Sequence, residues 1–365
     1  MSQDASQEAQ AAEQLEAATS DNRDDYFPIP LAIMQPGTVA PVNLYVYTGE
    51  PAQFILYKRA QAPLREEIRE RLMQHDVDSL YLLKTDRDAY YDYVEENLSS
   101  IIRDNLMPQE KACQLVYESS SRVMEDTFEN PRSGRNLRRA HDMVEATVLS
   151  IVKDPESIWH MAAMASHDYY TFTHCVHVSM FLVAGARDVL GITDRRTLMQ
   201  IGLGGIFHDI GKSQIPEDIL NKPGRLTHEE FEQIKKHPDL GLRLVKRARN
   251  LVAASGRIIR NHHEHYDGHG YPDGLIGEGI ADVVRLATVI DVYDALTTKR
   301  CYADARSAFE ALAMMLKEMD GLFDENLLRS FIKYLGPKET RLRLRARWDA
   351  AVRETLGEEL ATAPA

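Results

Sequence analysis

The sequence predicts a mainly α-helical protein: a C-terminal all-helical bundle preceded by a small N-terminal α/β module. Two observations lead there. From about residue 139 onward the apolar residues recur with helical spacing, interrupted at Gly191, at Gly211–Gly224 and at Asp267–Gly279. Before that, residues 26–85 carry short β-branched and aromatic runs separated by Pro and Gly, with a single helical stretch among them. A third observation concerns chemistry: eleven of the thirteen histidines lie between His160 and His269.

A length of 365 residues favours two domains, and a hydrophobic content of 44% is enough for a sizeable core. The 56 Asp and Glu against 43 Lys and Arg leave a formal charge of −13, which speaks against binding DNA or RNA and against a polybasic membrane clamp. A small anionic substrate remains compatible, because a site can be locally basic on an acidic protein. Cys113, Cys175 and Cys301 lie far apart, so neither a disulfide framework nor a zinc knuckle is expected. The start lacks the pattern of a leader, and no run of about eighteen apolar residues occurs. These features predict a cytoplasmic protein without a membrane partner.

Residues 1–25 are acidic and nearly devoid of large apolar side chains, so a disordered tail is expected. Residues 26–95 form the α/β module. Its strands are FPIPLAIMQ, VNLYVY, FILYKRA and VDSLYLL, and its helix runs from Pro63 to His75 with Leu64, Ile68 and Leu72 on one face. No chemical constellation appears there, which suits a regulatory or sensor module. Residues 96–146 read as a helical linker, broken near Asn130–Gly134. This module or the linker helices are the candidate surface for a homodimer. The bundle is assigned to 147–345, with a C-terminal tail at 346–365.

Within the bundle, His174 shares helical spacing with Val178, Phe181, Leu182 and Gly185, which points it into the core. Alone it reads as a structural histidine. His208 and Asp209 follow Gly204 and Gly205, which let helices approach closely; Gly211 is expected to break the helix and expose Lys212. Thr227 and Glu230 form a capping box that starts a helix, with His237 near its end. His262, His263 and Glu264 close another helix before the loop DGHGYPDG. Asp291 sits on an apolar stripe with Val284, Ala287 and Ala295, while Asp294 can be read as a helix-surface carboxylate.

Buried ionisable groups are costly unless paired or metal-bound, so several His- and Asp-bearing helices converging on one place need an explanation beyond ordinary core packing. Imidazoles with carboxylates suit iron, manganese or zinc better than magnesium or calcium. A carboxylate such as Asp209, flanked by imidazoles, can bridge two ions, and two ions about 3.5–4 Å apart suit an in-line phosphoryl displacement. Lys212, Lys222 and Arg225 would add positive charge for a phosphate.

The ordered series HDIGK, IPEDILNKPGRLTHEE, KKHPDLG, NHHEHYDGHGYPDGLIGEGI, DVYDALTTKRCY and FDENLLRSF resembles the HD-GYP family, over about residues 147–335. The HD doublet is His208-Asp209 and the GYP triplet Gly270-Tyr271-Pro272. The resemblance implies an HD-type helical bundle holding two or three metal ions, often iron, and hydrolysing cyclic di-GMP or a related cyclic dinucleotide. It implies metal ligands at His174, His208, Asp209, His237, His262, His263 and Asp291. It makes Asp209 and Lys212 the catalytic pair, with Lys212 at the scissile phosphate and Asp267, Gly270, Tyr271 and Arg300 lining the dinucleotide pocket.

Two departures stand out. Tyr170 occupies the position where members with a third metal carry glutamate, so two transition-metal ions are expected, iron first, with manganese or zinc as alternatives. After Arg300 the chain reads Cys301-Tyr302-Ala303, without the proline and basic residue of many members, which removes one phosphate contact. His160, His167 and His177 read as core or surface residues and His228 as solvated; His265 and His269 flank the site. The expected activity is hydrolysis to the linear dinucleotide, with further cleavage to GMP left open. The alternative is a catalytically weak cyclic-dinucleotide receptor signalling through the N-terminal module.

Overall fold

The computed structural model of the chain describes residues 23–35, 37–48, 53–63, 66–75, 77–104, 106–164, 171–246, 253–298 and 305–336. Most of the two expected tails lies outside the described residues, as do Leu64, His167, Tyr170, Arg300, Cys301, Tyr302 and Ala303 and the side chain of Ile68. The chain divides into two compact units between Ala112 and Cys113.

In the first unit, β1 (Tyr26–Pro30), β2 (Leu44–Thr48), β3 (Gln53–Lys58) and β4 (Ser79–Leu83) form an antiparallel sheet in the order β1-β4-β2-β3. Each expected strand is present, but the first stops at Pro30 and continues as a 3-10 turn, Leu31–Ile33. Pro28 and Pro30 supply no backbone N–H, which confines β1 to the edge of the sheet, where among the described residues it pairs with β4 alone. The side chains of Tyr26, Tyr45 and Phe54 make an aromatic core, Tyr26 stacked on Phe54. Helix α1 (Glu66–Gln74) crosses between β3 and β4, and α2 (Arg87–Asp104) follows the sheet. Tyr93 of α2 fixes the turn after β1 by accepting the Gln35 N–H at 2.9 Å.

Helix α3 (Gln109–Glu129) contains the division between the units. Then come α4 (Gly134–Lys153), α5 (Ser157–Met164), α6 (Thr171–Asp188), α7 (Arg195–Phe207), α8 (Glu217–Leu220), α9 (His228–Ile234), α10 (His237–Lys246), α11 (Ala253–Asn261), α12 (Asp282–Thr297), α13 (Ala308–Glu318) and α14 (Glu325–Leu335). The break expected near Asn130–Gly134 is the α3–α4 connection, where the Ser133 hydroxyl caps α4 by accepting the Asn136 N–H. Among the described residues no helix is long and apolar enough to cross a membrane.

The middle of the second unit is α7, packed against α4, α6 and α11, with α12 lying on α6. Its glycines make this possible. A Cβ on Gly205 would come within 2.7 Å of the Ser179 backbone in α6, and one on Gly204 within 2.7 Å of Ile258 in α11. Helices that approach this closely bring residues at their ends and centres within a few ångströms of one another.

Two local expectations are corrected. Helix α7 already ends at Phe207, and Gly211 lies in a 3-10 turn, Ile210–Gln214, rather than breaking the helix. What requires glycine is crowding: a Cβ there would collide with the carbonyl of His237, so the turn presses directly on α10. His237, expected near the end of the helix begun by the Thr227–Glu230 capping box, instead opens the next one. Pro238 lacks an N–H and fits the first turn of a new helix, so the chain turns at Lys235-Lys236 and restarts.

Candidate metal centre

His174 projects from the first turns of α6, and His208 and Asp209 follow the end of α7. His237 opens α10, His262 and His263 form the turn after α11, and Asp291 lies within α12. The tertiary fold brings all seven together. Ligand atoms of Asp209, His237, His262 and His263 lie within 4.8 Å of one another, as do those of His174, His208 and Asp209. Asp209 belongs to both groups. Asp291 lies between them, its carboxylate 2.9 Å from His174 Nε2, 3.7 Å from His208 Nε2 and 4.0 Å from His263 Nδ1.

The hydrogen bonds decide which nitrogen each imidazole presents. His208 Nδ1 lies 2.7 Å from the Gly205 carbonyl, His237 Nδ1 2.8 Å from that of Ile234, and His262 Nδ1 3.1 Å from that of Ile259. A carbonyl oxygen only accepts, so each Nδ1 carries the proton and each Nε2 carries a lone pair. All three use the same backward reach to the carbonyl three residues earlier, available because each histidine sits at a helix end. His174 Nδ1 donates to Asp294 at 2.7 Å, again leaving Nε2 for the centre.

These constraints test whether the cluster suits a cation. The Nε2 atoms of His237 and His262 are 3.2 Å apart, lone pair facing lone pair, and His237 Nε2 is 3.1 Å from Asp209 Oδ1. Buried His208 Nε2 and Asp209 Oδ1 make no hydrogen bond of acceptable geometry. Converging acceptors without donors repel unless a positive charge lies among them, so the residues fit a metal ion, and an N/O donor set of this kind fits a transition metal.

Protonation states agree. Burial pushes the Asp209 carboxyl up, but Lys212, His208 and His237 outweigh it and hold it well below the usual carboxylate range. Asp291 is likewise held low, against burial, by His174 and His208. Burial, reinforced by the neighbouring imidazoles, drives His262 well below the ordinary histidine value, and burial takes His263 down to about 3. Ionised carboxylates and neutral imidazoles are the forms that bind metals.

Lys212 is not simply exposed: its ammonium bonds Asp209 Oδ2 at 2.5 Å, with 21% of the side chain accessible. Lys222 is engaged by Glu230 of the capping box at 2.7 Å, while Arg225 is solvent-exposed. The glycine-rich loop packs over the paired histidines. Tyr271 stacks on His263 with ring centroids 4.8 Å apart, and its N–H donates to the His263 carbonyl. Gly270 lies so close to the backbone of residues 263–265 that a Cβ would come within 2.2 Å of the His265 nitrogen. Asp267 stands on the exposed part of the loop, where it accepts the His269 N–H.

Three residues were missed or underrated by sequence reasoning. Asp294, read as a surface carboxylate, is 2% exposed and accepts from both His174 and His177. His177, read as bland, is buried in that bond. Glu264 is buried and ties the loop down by accepting the N–H groups of Asp273 and Leu275 and an amide N–H of Asn261. A signal for the first two was present: His174/His177 and Asp291/Asp294 repeat the same three-residue spacing, which places each pair on one helix face.

Residues 182–327 match the family model described as HD domain. A cyclic di-GMP phosphodiesterase of Pseudomonas aeruginosa is 36% identical over 252 residues, covering 68% of this chain and 60% of the relative. The cyclic di-GMP phosphodiesterase response regulator RpfG of Xanthomonas campestris is 38% identical over 153 residues, 41% of this chain and 40% of that protein. A 3'3'-cGAMP-specific phosphodiesterase of Vibrio cholerae is 34% identical over 129 residues, 35% of this chain and 25% of the relative. The chain thus spans between a quarter and three fifths of the length of these relatives. In fold it is similar to an HDG"Y"P protein from Bdellovibrio bacteriovorus, with a TM-score of 0.56 at 22% identity over 84% of this chain and 98% of that one. The chain carries an HD domain of the HD-GYP type.

Proposed function

We propose that the chain is a metal-dependent phosphodiesterase that hydrolyses cyclic di-GMP or a related cyclic dinucleotide to the linear dinucleotide, with residues 147–345 as the catalytic domain. The observation that carries the reading is Asp209, a buried ionised carboxylate shared by two sets of imidazoles. The names of the relatives support the substrate class, since they include both cyclic di-GMP and cGAMP phosphodiesterases.

His174, His208, Asp209, His237, His262, His263 and Asp291 would hold two transition-metal ions, with iron the first choice and manganese or zinc the alternatives. When bound, such ions supply Lewis acidity to water and to a phosphoryl oxygen. The protein's own groups do the rest. The backbone carbonyls behind His208, His237 and His262 keep the rings in the ligating tautomer. Lys212, beside Asp209, would stabilise negative charge on the phosphoryl oxygens as the P–O bond breaks. Tyr271, backed by His263, offers a wall for a base, and Gly270 and Asp267 shape the loop that carries it. Arg300 is assigned to the same pocket by resemblance.

The test is direct: purify the chain anaerobically, measure its metal content, and follow cyclic di-GMP and 3'3'-cGAMP by chromatography. Loss of the cyclic dinucleotide with appearance of its linear form is expected. Metal-replete protein that binds the dinucleotide without turnover would overturn the enzyme reading.

A further inference from the structure

The metal-centre reading uses His174 and Asp291 and leaves a buried chain of polar groups behind them. Tyr117 Oη in α3 lies 3.0 Å from His177 Nε2, and His177 Nδ1 lies 3.0 Å from Asp294 Oδ1. The other oxygen of Asp294 lies 2.7 Å from His174 Nδ1, and His174 Nε2 faces Asp291 at 2.9 Å. His177 and Asp294 are buried, so their polar atoms have no recourse to bulk water. Tyr117 and His177 also stack, with ring centroids 5.7 Å apart and planes 13° from parallel.

The direction of every bond follows from its chemistry. An ionised Asp294 accepts on both oxygens, so both imidazoles donate from Nδ1. His177 Nε2 is then an acceptor, and the Tyr117 hydroxyl is its donor. The same assignment forces His174 to present a lone pair at Nε2. A swap to the other tautomer at either ring would place a donor against a donor or an acceptor against an acceptor somewhere in the chain. The arrangement leaves one acceptor-against-acceptor contact, His174 Nε2 facing the Asp291 carboxylate at 2.9 Å, which a cation there would relieve, and in this way it prepares His174 to ligate.

We propose that Tyr117, His177 and Asp294 are positioning residues that fix the tautomer and ring orientation of His174 and thereby set how tightly the centre holds its cation. The inference rests on reading the cluster as a metal centre. It extends the working site to Tyr117 and His177, which lie outside the 182–327 segment matching the HD model. It also makes α3 a sensitive element: a shift that opened the Tyr117–His177 bond would be felt at His174.

The test uses the full chain, stripped of metal and titrated with cobalt(II) against a chelator. Tyr117→Phe keeps the ring stack and removes only the hydroxyl. Asp294→Asn keeps the shape, but its amide accepts from one imidazole and turns donors toward the other. Asp294→Asn is expected to weaken cobalt affinity about 10- to 100-fold and to change the visible absorption of the bound cobalt. Tyr117→Phe should weaken affinity about fivefold, the scale of one neutral hydrogen bond, and should have a smaller effect in the Asp294→Asn background. If both variants bind cobalt with wild-type affinity and spectrum while metal-free stability falls, the network is purely structural and the proposal fails. If Asp294→Asn does not fold, Tyr117→Phe decides by the same two readouts. If the wild type binds no transition metal, the metal-centre reading falls first and this inference with it.

Discussion

His237 and His262 face each other Nε2 to Nε2 across 3.2 Å, each with its Nδ1 proton already committed to a backbone carbonyl. Neither ring can donate to the other. The contact is repulsive in the metal-free protein and becomes favourable when a cation accepts both lone pairs, so the fold stores a preference for metal at this point.

Metal content and metal-linked stability follow from this. Anaerobically purified protein is expected to carry about two transition-metal ions per chain, the number that a shared carboxylate between two imidazole sets suggests. Chelation should lower Tm, and re-addition should restore it, with about 4 kcal/mol gained at a thousandfold excess over Kd. Elemental analysis and thermal melts check both; a chain holding only magnesium, with a chelator-insensitive melt, would count against the centre.

Lys212→Ala should retain the metals and lower kcat by about 10²-fold, the scale of losing one transition-state donor. The alternative is that Lys212 serves only to offset the Asp209 charge at 2.5 Å. In that case the metal-loaded variant would turn over normally, because the ions would replace the lysine's charge.

Asp291→Asn should lose metal and activity. From the sequence alone, removing this carboxylate relieves repulsion among clustered acids and leaves the metal-free protein equally or more stable. The structure supports that sign: His174 gives its Nδ1 proton to Asp294 and turns its Nε2 lone pair toward the Asp291 carboxylate at 2.9 Å. Metal-free Asp291→Asn is therefore expected to be at least as stable as the wild type by urea unfolding in the presence of chelator; a large loss would mark Asp291 as a structural ion-pair partner.

Gly270→Ala would place a methyl group within 2.5 Å of the Glu264 Cα and the His263 carbonyl. Backbone cannot yield as a side-chain tip can, so the loop must lift away. A destabilisation of about 1–3 kcal/mol and a raised KM for the dinucleotide are expected. Steady-state kinetics with an unchanged KM would place the loop outside the substrate pocket.

The metal-free protein should weaken as pH falls from about 6.5 toward 3. Folding depresses His262 and takes His263 to about 3, so in this window the unfolded chain binds protons that the folded chain does not. Stability then falls with pH by up to about 1.4 kcal/mol per unit for each such group. Below about pH 4 the unfolded chain's carboxylates also take up protons that Asp209 and Asp291, held well below the usual carboxylate range, resist in the folded protein, which acts in the same direction. Urea midpoints at pH 7.5 and 5.5, with chelator present, measure the slope; a flat profile would contradict it.

The sequence by itself determined much of this protein. Periodicity and the Pro- and Gly-punctuated strands set the fold class, and a carboxylate on an otherwise apolar helix stripe marked Asp291, whereas His174 alone read as structural and became a ligand only through the family resemblance. The Thr227–Glu230 capping box was legible because it is made by residues three positions apart. Only the tertiary structure decided what depends on contacts between distant segments. The 3-10 turn after His208 and the restart at His237 follow from Gly211 pressed onto the His237 carbonyl. The burial of Asp294 and its bonds to His174 and His177 join α6 to α12 across more than a hundred residues of chain. The tautomers were hidden for the same reason. A histidine's choice of nitrogen is set by the acceptor behind it, and that acceptor is fixed once the backbone has turned and the helices have packed.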